Sequence, residues 1–127
     1  MKLLVYSRRQ RSSIPGVKAL LRKRKRRILI RQIVGTSMLP TFRPGQVVVA
    51  IGPVETLQVG DIVVVRHGGK DKIKRVAQLK KTQEVYLLGD NPSASEDSRT
   101  FGWLSSRAVK GKVVWPRQRR SSDYSVG

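Results

Sequence analysis

Three stretches of this sequence set polar, reactive side chains between apolar segments. In Gly35-Thr36-Ser37-Met38-Leu39-Pro40-Thr41, a serine closely follows an apolar run and a proline comes three residues later. The fixed φ of proline restricts the chain there, so Ser37 is held at a defined place and angle. In Lys72-Ile73-Lys74-Arg75-Val76, lysines sit mid-strand among apolar residues. A lysine desolvated in such a setting has its pKa pushed down, because burial disfavours the charged form. The neutral amine is then a competent general base, and a serine beside it is the matching nucleophile. The third stretch, residues 89–99 (GDNPSASEDSR), is dense in side chains that bond to backbone and to one another.

Other chemistries are excluded by composition. The 127 residues include no cysteine, which removes disulfides, cysteine nucleophiles, iron–sulfur clusters and thiolate zinc sites. A single histidine, His67, rules out a multi-histidine metal site, and any Ser-His-Asp triad would rest on it alone. His67 reads instead as a polar residue at the mouth of a hairpin. Asp90-Asn91-Pro92 does not begin a calcium loop, because Ala94 and Ser95 stand where a ligand and a glycine are required. No metal or cofactor is expected. Trp103 and Trp115 read as packing anchors, and the chain lacks the interleaved aromatics of a base-stacking surface.

The elements that must hold these stretches are strands. Residues 28–34 (ILIRQIV), 46–51 (QVVVAI), 61–67 (DIVVVRH), 71–79 (DKIKRVAQL), 84–88 (EVYLL) and 109–115 (VKGKVVW) are rich in β-branched residues and separated by Gly/Pro turns. Gly68-Gly69 marks a hairpin. The spacing predicts a mainly β domain, a small half-closed β-barrel, over residues 28–116. Residues 89–107 form one long polar connection, and long loops in compact domains are commonly functional.

Net charge is +19, and it is unevenly spread. Residues 1–31 hold twelve basic residues and no acid, with six consecutive cations at 22–27. Residues 1–27 therefore read as a basic arm, in which Val17 to Leu21 can begin a short helix, and residues 117–127 as a flexible basic tail. The arm is either an exposed solubilising segment or a site for an anionic partner, with nucleic acid and anionic lipid both candidates. The longest apolar run, residues 47–54, is far short of the ~20 residues of a membrane-spanning helix. The expected location is cytoplasmic or peripheral at an inner membrane.

Alone, Ser-Met-x-Pro is usually a turn, and a strand lysine usually carries its ammonium to water. Their order here argues otherwise. The serine box GTSMLPT, the strand opening Gly60-Asp61-Ile62-Val63, the lysine box KIKRV and the box Gly-Asp-Asn…Ser-x-Asp-Ser-Arg together resemble the signal peptidase I family of Ser-Lys peptidases. LexA-type repressors share the pair and the fold. The forms SMxPT and GDN…SxDSR are closer to the peptidase branch, and no DNA-binding domain is expected ahead of the body.

The resemblance implies a role for each matching residue. Ser37 is the nucleophile, Lys74 the general base, and Ser95 orients the lysine amine. The Ser37 N–H donates to the oxyanion. Gly35 stands where some members place a serine that supplies the second donor. Asp97 and Arg99 form a structural ion pair with Arg75 nearby, and Gly89, Asp90 and Asn91 form the turn against the catalytic strands. Ile33, Val34, Met38 and Ile73 wall pockets for small side chains, although Lys72 stands where an apolar residue often lines the pocket.

Fourteen residues separate Lys74 from Gly89, so the large accessory β domain of the family is not expected. The short form is similar to the maturation proteases associated with nickel superoxide dismutase, which remove an N-terminal leader. The implied function is a serine endopeptidase acting on a protein precursor with such a leader. The alternatives are a signal peptidase acting on exported preproteins and held at an anionic membrane by the basic arm, or a non-enzymatic basic barrel that binds nucleic acid. Of these partners, nucleic acid is the least expected.

Overall fold

The computed structural model describes residues 25–118. The arm up to residue 24 and the tail from residue 119 lie outside them. Seven strands form one antiparallel sheet: β1 (Arg27–Gln32), β2 (Val47–Gly52), β3 (Ile62–His67), β4 (Lys70–Leu79), β5 (Glu84–Leu88), β6 (Leu104–Ser105) and β7 (Val109–Trp115). Their spatial order is β1-β2-β7-β3-β4-β5-β6. The mainly β reading holds, but the sheet is not closed into a barrel. Its edges are β1 and β6, and β1 reaches back to β4 through a side-chain contact, Arg31 Nη2 to Asp71 Oδ2 at 2.9 Å.

Strand β3 is central, flanked by β7 and β4, and Ile62 to Val65 are all buried. Alternation sends successive side chains to opposite faces. Val63 and Val65 join Val76, Val85, Leu87 and Val109 in one core cluster. Ile62 joins Ile33, Met38, Phe42 and Val48 in a second. The β3–β4 hairpin closes with His67 opposite Lys70 across Gly68 and Gly69, whose φ angles of 61° and 77° suit the right-handed twist of the strands.

The first strand begins one residue before the sequence boundary, with Arg27 opposite Gly52. It also ends earlier, at Gln32, because Ile33 leaves the strand to close a loop. Ile33 donates to the Gln46 carbonyl at 2.7 Å, and Gly45 donates to the Ile33 carbonyl at 2.8 Å. The long polar connection after β5 is not irregular throughout. It holds a 3-10 turn (Pro92–Ala94), the short helix α1 (Ser98–Phe101), β6, and a second 3-10 turn (Ser106–Ala108). Trp103 packs against Tyr86 with ring centroids 5.1 Å apart. Trp115 departs from the packing-anchor expectation: it ends β7 at 57% exposure.

Candidate active site

Ser37 lies in the loop between β1 and β2, and two buried side chains pin that loop. Met38 and Phe42 are 1% and 0% exposed, and the Phe42 N–H donates to the Met38 carbonyl at 3.0 Å. Leu39 N–H closes a tight turn onto the Thr36 carbonyl at 3.1 Å. Burying the residues either side of a polar turn fixes the turn without spending its own groups. Among the described residues, the Ser37 hydroxyl makes no hydrogen bond, and the N–H groups of Gly35 and Ser37 donate to no partner. Gly35 has φ +79°, a conformation that a residue with a Cβ adopts only with strain, so glycine is the natural occupant.

Lys74 is mid-way along β4, opposite Val63, and only 4% exposed. Its Nζ donates to Ser95 Oγ at 3.0 Å. Burial is the main influence on the amine and lowers its pKa; Asp97 opposes this, and the neighbouring Lys72 adds to the lowering. Lys72 lies alongside, with Nζ 5.2 Å from the Phe101 ring centre, 3.3 Å from His67 Nδ1 and 3.8 Å from Glu96 Oε1. His67 stacks on Phe101 at 4.1 Å between centroids.

The two halves meet at Gly89. A Cβ there would overlap the Ser95 hydroxyl and stand 2.5 Å from Ser95 Cβ and 2.8 Å from the Ser37 carbonyl oxygen. Ser95, which holds the Lys74 amine, and the Ser37 backbone thus press against the same glycine. Asn91 clamps the serine loop from this side: its N–H donates to the Ser37 carbonyl at 2.8 Å, and Nδ2 to the Thr36 carbonyl at 3.0 Å. Gly89→Ala is accordingly expected to displace Ser95 or the Ser37 loop. Overpacking of this kind costs ~1–3 kcal/mol, and both the melting temperature and the rate of peptide cleavage should fall. An alanine variant with wild-type values of both would contradict this contact.

Asp97 supports the cluster from below. It is fully buried and caps α1, accepting from the Arg99 N–H at 3.1 Å. It also accepts from the Gly89 N–H, Arg99 Nε and Arg99 Nη2, each at 2.9 Å. Burial works to raise its pKa, but the Arg99 guanidinium, the Gly89 amide and the Ser95 hydroxyl outweigh it and hold the carboxyl well below the usual carboxylate range. Lys74, Ser95 and Asp97 therefore form a chain of contacts ending on a carboxylate that is ionised at neutral pH.

Arg75 has an ion pair of its own. It forms a separate two-pronged ion pair with Asp90, Nε to Oδ1 and Nη2 to Oδ2 both at 2.8 Å, and its Nη1 donates to the Gly60 carbonyl at 2.9 Å. The reason is register. Arg75 sits opposite Leu88 on β5, and Asp90 comes two residues later on the same side. Thr41 also donates to Asp90, tying the end of the serine loop to the same pair. That link was not foreseen, nor was Ser98, whose buried hydroxyl accepts from the Leu87 N–H at 2.8 Å. The polar density of residues 89–99 was the signal for both.

Of the pocket candidates, Ile33, Met38 and Ile73 pack together, with Ile33 and Met38 buried in the second core cluster. Val34 stands apart at 88% exposure. As they lie, Ile33 and Met38 spend their surface on the core, and Val34 faces solvent.

The model of the family described as Peptidase S24-like matches residues 4–114. The chain belongs to this family. No curated protein matches it. Membership makes this S24-like chain a peptidase of the serine type on a mainly β fold, and the match spans the serine loop, β4 and residues 89–99 together. Among the described residues of this S24-like peptidase no helix is long and apolar enough to cross a membrane, and no cluster of His, Cys, Asp and Glu could hold a metal.

Proposed function

We propose that the chain is a Ser-Lys endopeptidase of signal-peptidase type that removes an N-terminal leader from a protein precursor. The observation that carries this reading is the buried Lys74 amine, held by Ser95 against the glycine that also backs the Ser37 loop. A neutral amine that gives one N–H to Ser95 keeps its lone pair for another proton. The Ser37 hydroxyl, free of other partners, turns to that lone pair, loses its proton and attacks the scissile carbonyl. Lys74 returns the proton to the leaving amine, and water then releases the acyl group by the same route in reverse. The unpartnered N–H groups of Ser37 and Gly35 are the donors offered to the oxyanion, a contact worth ~2.7–4 kcal/mol per donor in comparable sites. The resemblance assigns Ile33, Val34, Met38 and Ile73 to pockets for small side chains; of these, Val34 is the one whose surface is open to a substrate as the chain lies. A nickel superoxide dismutase precursor is the substrate that the sequence resemblance favours. Incubation with such a precursor should release one N-terminal fragment by mass spectrometry; an intact precursor, alongside intact peptides of Ala-x-Ala type, would overturn the reading.

The pH dependence follows from the lowered lysine pKa. Protonated Lys74 accepts no proton, so the rate should rise with pH through the pKa of Lys74 and level off above it. That midpoint should lie below the ordinary lysine value of 10.5. Lys72→Leu removes a neighbouring cation that favours the neutral amine, so it should move the rise to higher pH. A pH–rate profile of both proteins checks this, and a midpoint moved to lower pH would contradict it.

We also propose that the arm holds the peptidase to anionic lipid. Replacing Arg22, Lys23 and Arg24 by Gln removes three cations, each worth ~1 kcal/mol near an anionic surface. Affinity for phosphatidylglycerol vesicles at low salt should drop roughly a hundredfold. Co-sedimentation measures it, and unchanged binding would leave the arm without this role.

A further inference from the structure

Along β1 the side chains part into two sets. Ile28 and Ile30 face solvent on one side, and Arg27, Leu29 and Arg31 turn to the other. There they line a cleft of about 850 Å³. Among the described residues six cations surround it: Lys25, Arg26, Arg27, Arg31, Arg66 on β3, and Lys110 on β7. Its one acid is Asp71, held between two guanidiniums: Arg31 Nε donates to Oδ2 at 3.0 Å, and Arg66 Nη1 to Oδ1 at 3.1 Å. Leu29 and Val109 give it an aliphatic floor, and among the described residues no aromatic ring lines it.

We propose that this cleft binds an acidic segment of the protein substrate, some distance along the chain from the cleaved bond. The inference rests on the peptidase reading above, which makes polypeptide the polymer at hand. Asp71 already displays how a carboxylate is received here, with Arg31 Nε and Nη2 on one oxygen and Arg66 Nη1 on the other. One acid among six cations leaves most of that capacity unused. Bases would need aromatic faces to stack on, and the aliphatic floor suits the methylenes of glutamate instead. Residues 1–31 of the chain contain no acid, so the basic arm has no carboxylate to place there. The path to the active site is short. Beyond Arg31 the chain continues directly to Ser37, and six extended residues span at most roughly 20 Å. A substrate that runs straight from Ser37 along the β1 edge comes to Arg31, at the near end of the cleft, within about six further residues.

The test uses the full chain and its Arg27→Glu, Lys110→Glu double variant, in which both changed side chains are exposed and outside the catalytic cluster. Binding of a fluorescein-labelled decaglutamate is followed by anisotropy at two salt concentrations. The wild type should bind and weaken as salt rises, and the variant should bind at least tenfold more weakly. Equal binding would put the affinity in the arm and overturn the proposal. Tighter binding of oligothymidylate than of decaglutamate, lost in the same variant, would assign the cleft to nucleic acid and overturn it too. Cleavage is then compared for two leader peptides that differ only by Glu or Gln at four to eight residues from the cut. For the wild type, KM should be at least tenfold lower for the Glu peptide with kcat unchanged, and the variant should lose the difference. Equal KM values for two peptides that are both cleaved would overturn the cleft's role while the peptidase reading stands. Absence of cleavage of both by a protein that binds decaglutamate would instead strike the peptidase reading, and this inference with it.

Discussion

Ser37→Ala is expected to lower peptide cleavage by at least about a thousandfold, since it removes the only route to an acyl-enzyme. Lys74→Met should lower it by on the order of 10²–10⁴-fold, the usual worth of a positioned general base. The two effects should not add, because neither residue has a function in this mechanism without the other. Methionine is the informative replacement at position 74. It keeps an unbranched stem opposite Val63 while removing the amine of a residue that is only 4% exposed. Burying an amine costs free energy, so the variant should melt no lower than the wild type. Lys74→Arg supplies a discriminating control, since a guanidinium stays charged and accepts no proton. An Arg variant as active as wild type, or a Met variant cleaving at near the normal rate, would refute Lys74 as the base. Circular dichroism and melting curves separate lost chemistry from lost fold.

Asp97→Ala should be the most destabilising single change near the site. The carboxylate is fully buried, and its removal leaves the buried Gly89 N–H without an acceptor, at ~1–3 kcal/mol. It also removes the cap of α1, at ~0.5–2 kcal/mol. Arg99 is half exposed and can turn to water, so its loss of a partner adds little. Together these come to roughly 1.5–5 kcal/mol, a drop in melting temperature of roughly 5–25 °C for a domain of this size. Cleavage at a temperature where the variant is folded should fall far less than in Ser37→Ala.

The pH dependence of the same effect has a definite sign. The folded-state pKa of Asp97 lies below the ordinary value of 3.8, so near that pH the unfolded chain binds more protons than the folded one. The stabilisation is complete above that value and is lost as pH falls below it. Wild type and variant should therefore differ fully at neutral pH and converge in acid. A variant that melts with the wild type at pH 7 would mean that the Asp97 contacts contribute nothing to stability.

Much of this architecture is legible in the residues themselves. Runs of Val and Ile broken by Gly and Pro mark six of the seven strands to within a residue or two, because burial and β-branching act locally and repeat every second residue. Gly68-Gly69 marks its own hairpin, since only glycine takes both positive φ angles without strain. The serine turn, the buried-strand lysine and the polar third box are each visible as departures from an apolar background. Their order resembles that of Ser-Lys peptidases, and the family to which the chain belongs is the S24-like one.

What the linear pattern could not specify is which strand lies beside which. Strand β7, last in the chain, inserts between β2 and β3, and that choice depends on the fit of two core clusters on opposite faces of the sheet. Ion pairing depends on register in the same way. Arg75 takes Asp90 because it stands opposite Leu88, and Arg31 takes Asp71 from forty residues away. The two-residue β6, the exposure of Trp115 and the basic cleft under β1 are likewise set by contacts between distant segments. Local sequence determined which side chains are buried and which can react. Only the tertiary structure decided which of them meet, because pairing energies arise between residues far apart in the chain and leave no periodic trace in it.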